Sequence, residues 1–447
     1  MKTLRSVLLY ICLRPRAIFR DVLVCCLFLG SISGCTRSTA TDGRTELRYC
    51  FFGGFEDWQM WRRIVAEFER ANPAIHVTLL YWPGSNYEAK LQLTMAAGTA
   101  PDVIDVQDEP FAAYTKMGQF EDLGPYLRQA AGRNPPSSDP YGPDRFYPTA
   151  LETFSVGGRQ YGLPWNGGQL MIYYNRALFR KAGLPDPPPR DWTWTQFVEY
   201  ARRLTRDEDG DGRMDQFGTQ VNPHYMYSLL PWIWMFGGDI IDPDMKRCTV
   251  DTPEGVRTLT FLRDLIYKDH VAPRSSEFTG MGGNVMFMTG RVGMVMDGVW
   301  ALPFMRQTDI DWDVTFLPRG PAGTFSRGTW DGVAMYRKSP HKAAAWRFIE
   351  FITGERGQYH VAQTGRALPP RKSQANSPAF IRPDTPQHEE RFLEAMTDFR
   401  TQRMPERWAE MDVVLKREME KLYSATGDPT TQAKTLQREI DAILQRP

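Results

Sequence analysis

Short apolar runs alternate along this chain with stretches whose apolar positions recur every three to four residues. Leu47-Arg48-Tyr49-Cys50-Phe51-Phe52 reads as a buried strand ending at Gly53-Gly54. Trp58, Trp61, Val65 and Phe68 then fall at helical spacing, stopped by Asn72-Pro73, and both tryptophans are read as core. A second strand follows over 75–81. The next helix opens on Ser85-Asn86-Tyr87-Glu88, which has the form of a capping box, and Gly98 closes it. A third strand covers 101–106. Strand, helix, strand, helix, strand in so short a span predicts a parallel sheet with right-handed crossovers. In such sheets ligands sit beyond the carboxyl ends of the strands, here 53–57, 82–84 and 107–109.

Later helices carry clear start signals. Thr193 to Gln196 is a second capping box, and Thr252-Pro253, Ser339-Pro340 and Asp428-Pro429 each set an N-cap residue before a proline. Trp408, Met411, Leu415, Met419 and Leu422 make one apolar stripe in a mostly helical last hundred residues. No internal repeat is visible, and the proline-rich stretches 131–141 and 185–189 read as surface connections.

The amino terminus has a different pattern. Lys2, Arg5, Arg14, Arg16 and Arg20 precede an apolar run from Val22 to Gly30, too short to span a bilayer as a helix and read as the core of a signal peptide. It ends in Ile32-Ser33-Gly34-Cys35, which resembles a bacterial lipobox; cleavage there leaves Cys35 to carry lipid. Residues 36–45 read as a flexible tether, and an acylated, diacylglyceryl-bearing terminus anchors stably. Cys12, Cys25 and Cys26 leave with the signal, so Cys50 and Cys248 remain as two separate thiols rather than a disulfide framework.

Composition adds little against this picture. The 447 residues hold 54 basic and 53 acidic side chains, which leaves no electrostatic footprint for nucleic acid. Aromatics make up 13 % of the chain, including 13 Trp, and fit either large cores or a site lined with flat rings.

Several segments, in this order and spacing, resemble the sugar-binding type of extracellular solute-binding protein, the maltose-binding-like receptors of ABC importers. They are Ala97-Gly98-Thr99-Ala100-Pro101-Asp102-Val103, Tyr161-Gly162-Leu163-Pro164 leading to Ile172-Tyr173-Tyr174-Asn175, and Ala182-Gly183-Leu184-Pro185. Trp192 to Phe197, Phe236-Gly237-Gly238, Gly293 to Trp300 and Gly365-Arg366-Ala367-Leu368-Pro369 complete the series. The resemblance implies an α/β, two-lobe, type II periplasmic-binding-protein-like clamshell with a hinge between lobes. It places crossings near 167–170, 312–318 and 353–357. The amino-terminal lobe is then 46–167 with 318–353, and the carboxyl-terminal lobe 170–312 with 354–447. It also implies a monomer, tethered outside the cytoplasm in the periplasm or at the cell surface, whose partners are a mono- or oligosaccharide and the transporter's permease subunits.

The same resemblance nominates site residues. Trp300 matches a sugar-stacking tryptophan and Tyr227 a sugar-contacting tyrosine. Asp108 and Glu109 follow the third strand and can accept hydrogen bonds from hydroxyls. Glu56, Asp57 and Trp82 lie at the other strand ends, and Trp165 and Asn166 beside the first crossing. Trp232, Trp330, Asp331, Arg366 and Trp408 are further candidates that also suit a core. Gly168 stands where the maltose-binding pattern has a hinge carboxylate, and Pro110 where it has an arginine.

Asp207, Asp209, Asp211, Arg213 and Asp215 occupy ligand positions of an EF-hand-like loop, with Gly212 at the turn, so a structural calcium is an expectation; Gly218 takes the place of its closing glutamate. No other cofactor is required. Hydrolase elbows, zinc motifs and nucleotide-binding fingerprints are absent. The expected function is therefore binding, not catalysis. Two other readings remain open: a receptor for glycerol phosphate or another small polar solute, and an exported carbohydrate-active enzyme whose paired carboxylates meet only in space.

Overall fold

A computed structural model describes residues 43–132, 140–142, 144–222, 224–277, 283–382, 386–424 and 426–446, so the basic leader, Cys35 and most of the expected tether lie outside the described residues. The first strand already begins at Thr45, the last residue expected in that tether. Among the described residues no helix is long and apolar enough to cross a membrane.

Among the described residues there are eleven strands: β1 Thr45–Phe51, β2 Ile75–Tyr81, β3 Val103–Gln107, β4 Ser155–Val156, β5 Arg159–Gln160, β6 Gly162–Asn175, β7 Phe217–Thr219, β8 Val292–Gly298, β9 Trp312–Thr315, β10 Ser326–Met335 and β11 Phe399–Thr401. Apart from the small β4–β5 hairpin they form one path, β2-β1-β3-β10-β6-β8-β7, with β9 on β6 and β11 on β10. β1, β2 and β3 are mutually parallel, joined by helices Phe55–Ala71 and Gly84–Ala96, as the alternating pattern predicts. β10 runs antiparallel between β3 and β6.

β6 ties the two halves together. Its residues up to Gln169 pair with β10, and from Leu170 onward with β8 and β9. All fourteen of its residues are buried. One core packs helix Phe55–Ala71 and helix Lys342–Thr353 against Leu47, Tyr49, Phe51, Val333 and Met335. Another gathers helices Trp194–Leu204, Leu229–Met235, Pro253–Tyr267, Trp408–Tyr423 and Pro429–Leu444 around Ile172 and Tyr174. A third lies on the opposite face of the sheet and includes residues of both halves.

The third crossing differs from expectation. Helix Glu355–Thr364 starts at once after Gly354 and packs back on helix Phe55–Ala71, with Val361 and Ala367 in the amino-terminal core. Leu368 and Gly167 exchange backbone hydrogen bonds of 2.8 and 3.0 Å. The chain joins the carboxyl-terminal core only after β11, through the last two helices. Residues 355–375 thus belong with the amino-terminal half, because their apolar face matches that core.

Caps show a similar mixture. Thr193, Thr252 and Asp428 cap their helices through the side chain. The second helix begins at Gly84, which puts Ser85 inside it, not at its cap. Ser339 does not cap a helix either: it donates to Asp102 at 2.5 Å, and the helix starts two residues past the proline. Cys50 and Cys248 are separate, buried thiols, each pushed up to about 12 by burial, so neither is a reactive thiolate at neutral pH.

Candidate functional site

The centre of the site is a line of side chains on one face of β10. Arg327, Thr329 and Asp331 are two apart, so they share a face, and Val333 and Met335 continue that face into the amino-terminal core. Polar residues occupy the part of the strand that lies between the halves, and apolar ones the part inside the core. β3 ends beside this line, and the helix Asp108–Lys116 begins with Asp108 and Glu109.

Arg327 reaches Glu109 at 3.0 Å and Asp108 at 3.7 Å, and Thr329 donates to Asp108 at 3.0 Å. Asp331 stands opposite Asn166 in the ladder, and the Asn166 side chain hydrogen-bonds it. Behind it Asp105 is fully buried and takes a 2.8 Å bond from the Trp165 indole. Two carboxylates, Asp108 and Glu109, therefore meet one guanidinium, and Asp331 and Asp105 stand behind them.

The electrostatics follow. Burial, with Asp108 beside it, pushes Asp331 up to about 8, and burial with the same neighbour pushes Glu109 up to about 7. Burial raises Asp108 despite Arg327 and Thr329, and burial with Asp331 nearby raises Asp105. For Arg327 burial works against the charge, but Asp108 and Glu109 outweigh it and hold the cation.

These shifts fix a sign. The folded state retains protons on Glu109 and Asp331 that an unfolded chain releases near pH 4. Their contribution is thus most favourable in acid and is lost as pH rises through about 7 to 8. Melting temperature of the unliganded protein, compared between wild type and Asp331→Asn, is expected to diverge from about pH 4 up to about 8 and to level off above that, the variant gaining. Parallel curves would contradict it. The charges facing Asp331 are Asp105, Asp108, Glu109 and Arg327.

The carboxyl-terminal half supplies rings. Trp300, half-buried after β8, meets Tyr227 edge-on at 6.1 Å. The Arg327 cation lies close enough to Tyr225 and to Tyr227 that it and each ring influence one another's ionisation. The Trp300 ring rests on bare backbone: a Cβ at Gly298 would come within 2.3 Å of it, and one at Gly168 within 2.3 Å of Val299 and 3.5 Å of the ring. Gly168 is thus required for close approach. Asp297 holds its place through Asn284 at 2.8 Å and the Gly298 amide at 2.7 Å, with the Trp300 indole also hydrogen-bonded to it. Lys116 pairs with Glu406, and helix Trp408–Tyr423 packs near helix Asp108–Lys116, so the halves touch across the site.

The expected residues separate into three groups. Asp108, Glu109, Asp331, Asn166, Trp300 and Tyr227 come together. Asp57, Arg366 and Glu56 form a second cluster: Asp57 accepts from the Gly54 amide at 2.7 Å and pairs with Arg366, and Glu56 is exposed beside them. The remaining tryptophans are structural. Trp232 packs on Phe261 at 4.6 Å inside the carboxyl-terminal core, beside a small cavity that borders the site only at Tyr227. Trp330 is fully buried under Gly167, where a Cβ would come within 2.1 Å of its ring. Trp82 is buried beneath Lys90, Trp165 lies against Trp61 at 4.7 Å, and Trp408 supports Tyr225 at 5.6 Å. In each case a large ring fills space between layers. Arg327, Thr329, Asp105 and Asp297 escaped the sequence reading; the period-two alternation from Arg327 to Met335 was the available signal.

The acidic loop is less complete than an EF-hand. Among the described residues the Asp207, Asp209 and Asp215 carboxylates bring ligand oxygens within 4.8 Å of one another, and the Asp211 carboxylate is not among them. Asp207 caps the Gly210 and Gly212 amides at 2.8 and 2.9 Å. Gly218 cannot be the closing glutamate, because a Cβ there would lie 1.9 Å from the Ala201 carbonyl oxygen.

Comparison with known proteins bears on the fold. The profile of bacterial extracellular solute-binding proteins matches residues 59–359. A putative binding protein of Brucella abortus is 24 % identical over 389 residues, covering 85 % of this chain and 88 % of that one. The multiple sugar-binding protein of Streptococcus mutans is 23 % identical over 337 residues, covering 71 % and 74 %. An ABC substrate-binding protein of Listeria monocytogenes, solved in complex with cycloalternan, superposes with a TM-score of 0.80 at 23 % identity, covering 90 % of this chain and all of that one.

Proposed function

Because the chain belongs to the bacterial extracellular solute-binding protein family and has its two-lobed α/β fold, we propose that it captures a carbohydrate between its halves and delivers it to an ABC transporter permease. The observation that carries this reading is the pairing of a polar line with rings. Arg327, Thr329, Asp331, Asp108 and Glu109 come from one half, and Trp300 and Tyr227 from the other. Sugar hydroxyls need polar partners, and a pyranose C–H face packs on an aromatic ring. Relatives named for sugar binding and for a cycloalternan complex support the same ligand class. Contact with both halves lets ligand favour a closed arrangement through its differential affinity, with β6 and the segments after β9 and before β11 as the hinge.

An anionic ligand such as glycerol phosphate fits less well. Arg366 is paired with Asp57 and Arg327 with Asp108 and Glu109, so a phosphate would meet more carboxylates than free cations. We read the protein as a receptor that returns its sugar unchanged. Thermal melting of the mature domain against sugars and glycerol phosphate tests both points. Ligand at about a hundred times its Kd adds roughly 2.7 kcal/mol. A shift with glycerol phosphate alone, or hydrolysis of the bound sugar, would overturn this reading.

Membership of the family places the protein outside the cytoplasm. Its anchoring through lipid on Cys35, and its action as a monomer, are part of the same proposal. Cys35→Ser is expected to move the protein from the membrane fraction to the soluble one. Retention at the membrane would mean that the run from Val22 is an uncleaved anchor. For the acidic loop we propose at most a weak structural calcium held by Asp207, Asp209 and Asp215, since its closing ligand is missing.

A further inference from the structure

The charges at the floor of the cleft do not balance. Among the described residues Asp105, Asp108, Glu109 and Asp331 are gathered there, and Arg327 pairs with two of the four. Arg327 is committed to Glu109 and Asp108. Asp331 has a hydrogen bond from a neutral amide, Asn166, and feels Arg327 less than it feels Asp108 and Glu109. Asp105 is fully buried, and while Trp165 satisfies one of its oxygens, the other, Oδ2, makes no hydrogen bond. A buried carboxylate left without a countercharge must take up a proton or find a cation.

Neutral hydroxyls satisfy lone pairs but leave that charge uncompensated. A protonated amine supplies both donors and charge, and an aromatic ring such as Trp300 or Tyr227 of the other half tolerates a cation as well as a sugar. An anion would add repulsion. We propose that the preferred ligand is an amino sugar, a polyhydroxylated ring bearing a protonated amine that is held by Asp331 together with Asp108 and Glu109. This rests on the carbohydrate reading and narrows it.

On binding, the amine keeps its proton, and Asp331 and Glu109 give theirs up to solvent. Burial and the neighbouring Asp108 raise the pKa of both groups, to about 8 and about 7, which fits a floor that favours positive charge. Ligand capture is therefore accompanied by proton release. A neutral sugar bound in the same place leaves those protons where they are.

Matched ligands test this in calorimetry at pH 7: glucosamine against glucose, galactosamine against galactose, and the β-1,4-linked glucosamine dimer against cellobiose and against its N-acetylated form. The amine member of at least one set is expected to bind tenfold or more tightly than its hydroxyl and acetamide counterparts. Titration in buffers of different ionisation enthalpy is expected to show proton release for that member. Asp331→Asn is expected to abolish the preference while the variant keeps its melting transition. Equal or tighter binding of the neutral members overturns the inference and leaves the carbohydrate reading standing. Failure of every sugar to bind overturns both.

Discussion

Arg327→Met is expected to destabilise the protein by about 3–5 kcal/mol, the usual cost of removing one partner from a buried ion pair. Arg327 is 5 % exposed and Asp108 7 % exposed, so water cannot replace the lost cation. Asp108, Glu109 and Asp331 would then confront one another without compensation. They can escape by binding protons, so the loss is expected to be larger at pH 8 than at pH 5. Arg327→Lys keeps the charge but loses the planar fork that spans two carboxylates, and should fall between. Combining Arg327→Met with Glu109→Gln should recover part of the loss. Urea unfolding of the four proteins at both pH values measures this. A loss below about 1 kcal/mol, typical of surface pairs, would mean that the cluster is solvated and the charge argument is wrong.

Trp300→Ala is expected to weaken sugar binding by roughly 1.5–3 kcal/mol, the scale for losing a large apolar contact, and hence about tenfold or more in Kd. The ring also packs against buried residues of both halves, so the variant will lose stability too. Trp300→Phe separates the effects. It keeps a smaller ring on the Gly298 backbone and should recover most of the stability, while affinity stays reduced. Unchanged affinity in both variants would remove Trp300 from the site.

Much of this was legible before the structure. The β1–β2–β3 alternation has strong periodicity and short connections, and its strand ends do lead to Asp108 and Glu109. Trp300 and Tyr227 were reached through family resemblance rather than through spacing. What stayed hidden was whatever depends on long-range packing. Nothing local tells that Trp330 lies beneath Gly167 or that Trp232 faces Phe261, since a tryptophan in a core and one in a cleft look alike in sequence. Gly168 looked like a missing carboxylate; in three dimensions it makes room for Val299 and Trp300. The resemblance assigns helix Glu355–Thr364 to the carboxyl-terminal half, because two abutting helices give no sign of where the second turns. Arg327 and Thr329 were overlooked although their alternation with Asp331 was readable, because polar residues in a strand are usually taken for its solvent face.

The central claim is that a sugar binds reversibly in the cleft that β10 and Trp300 line. Calorimetric titration of the mature domain with the sugar that gives the largest thermal shift tests it most directly, with Trp300→Ala titrated alongside. The account predicts saturable binding at one site, a negative heat-capacity change from the buried ring face, intact sugar at the end, and a Kd at least tenfold weaker in the variant. Absence of saturable binding to any sugar, or binding that Trp300→Ala leaves unaltered, would contradict it.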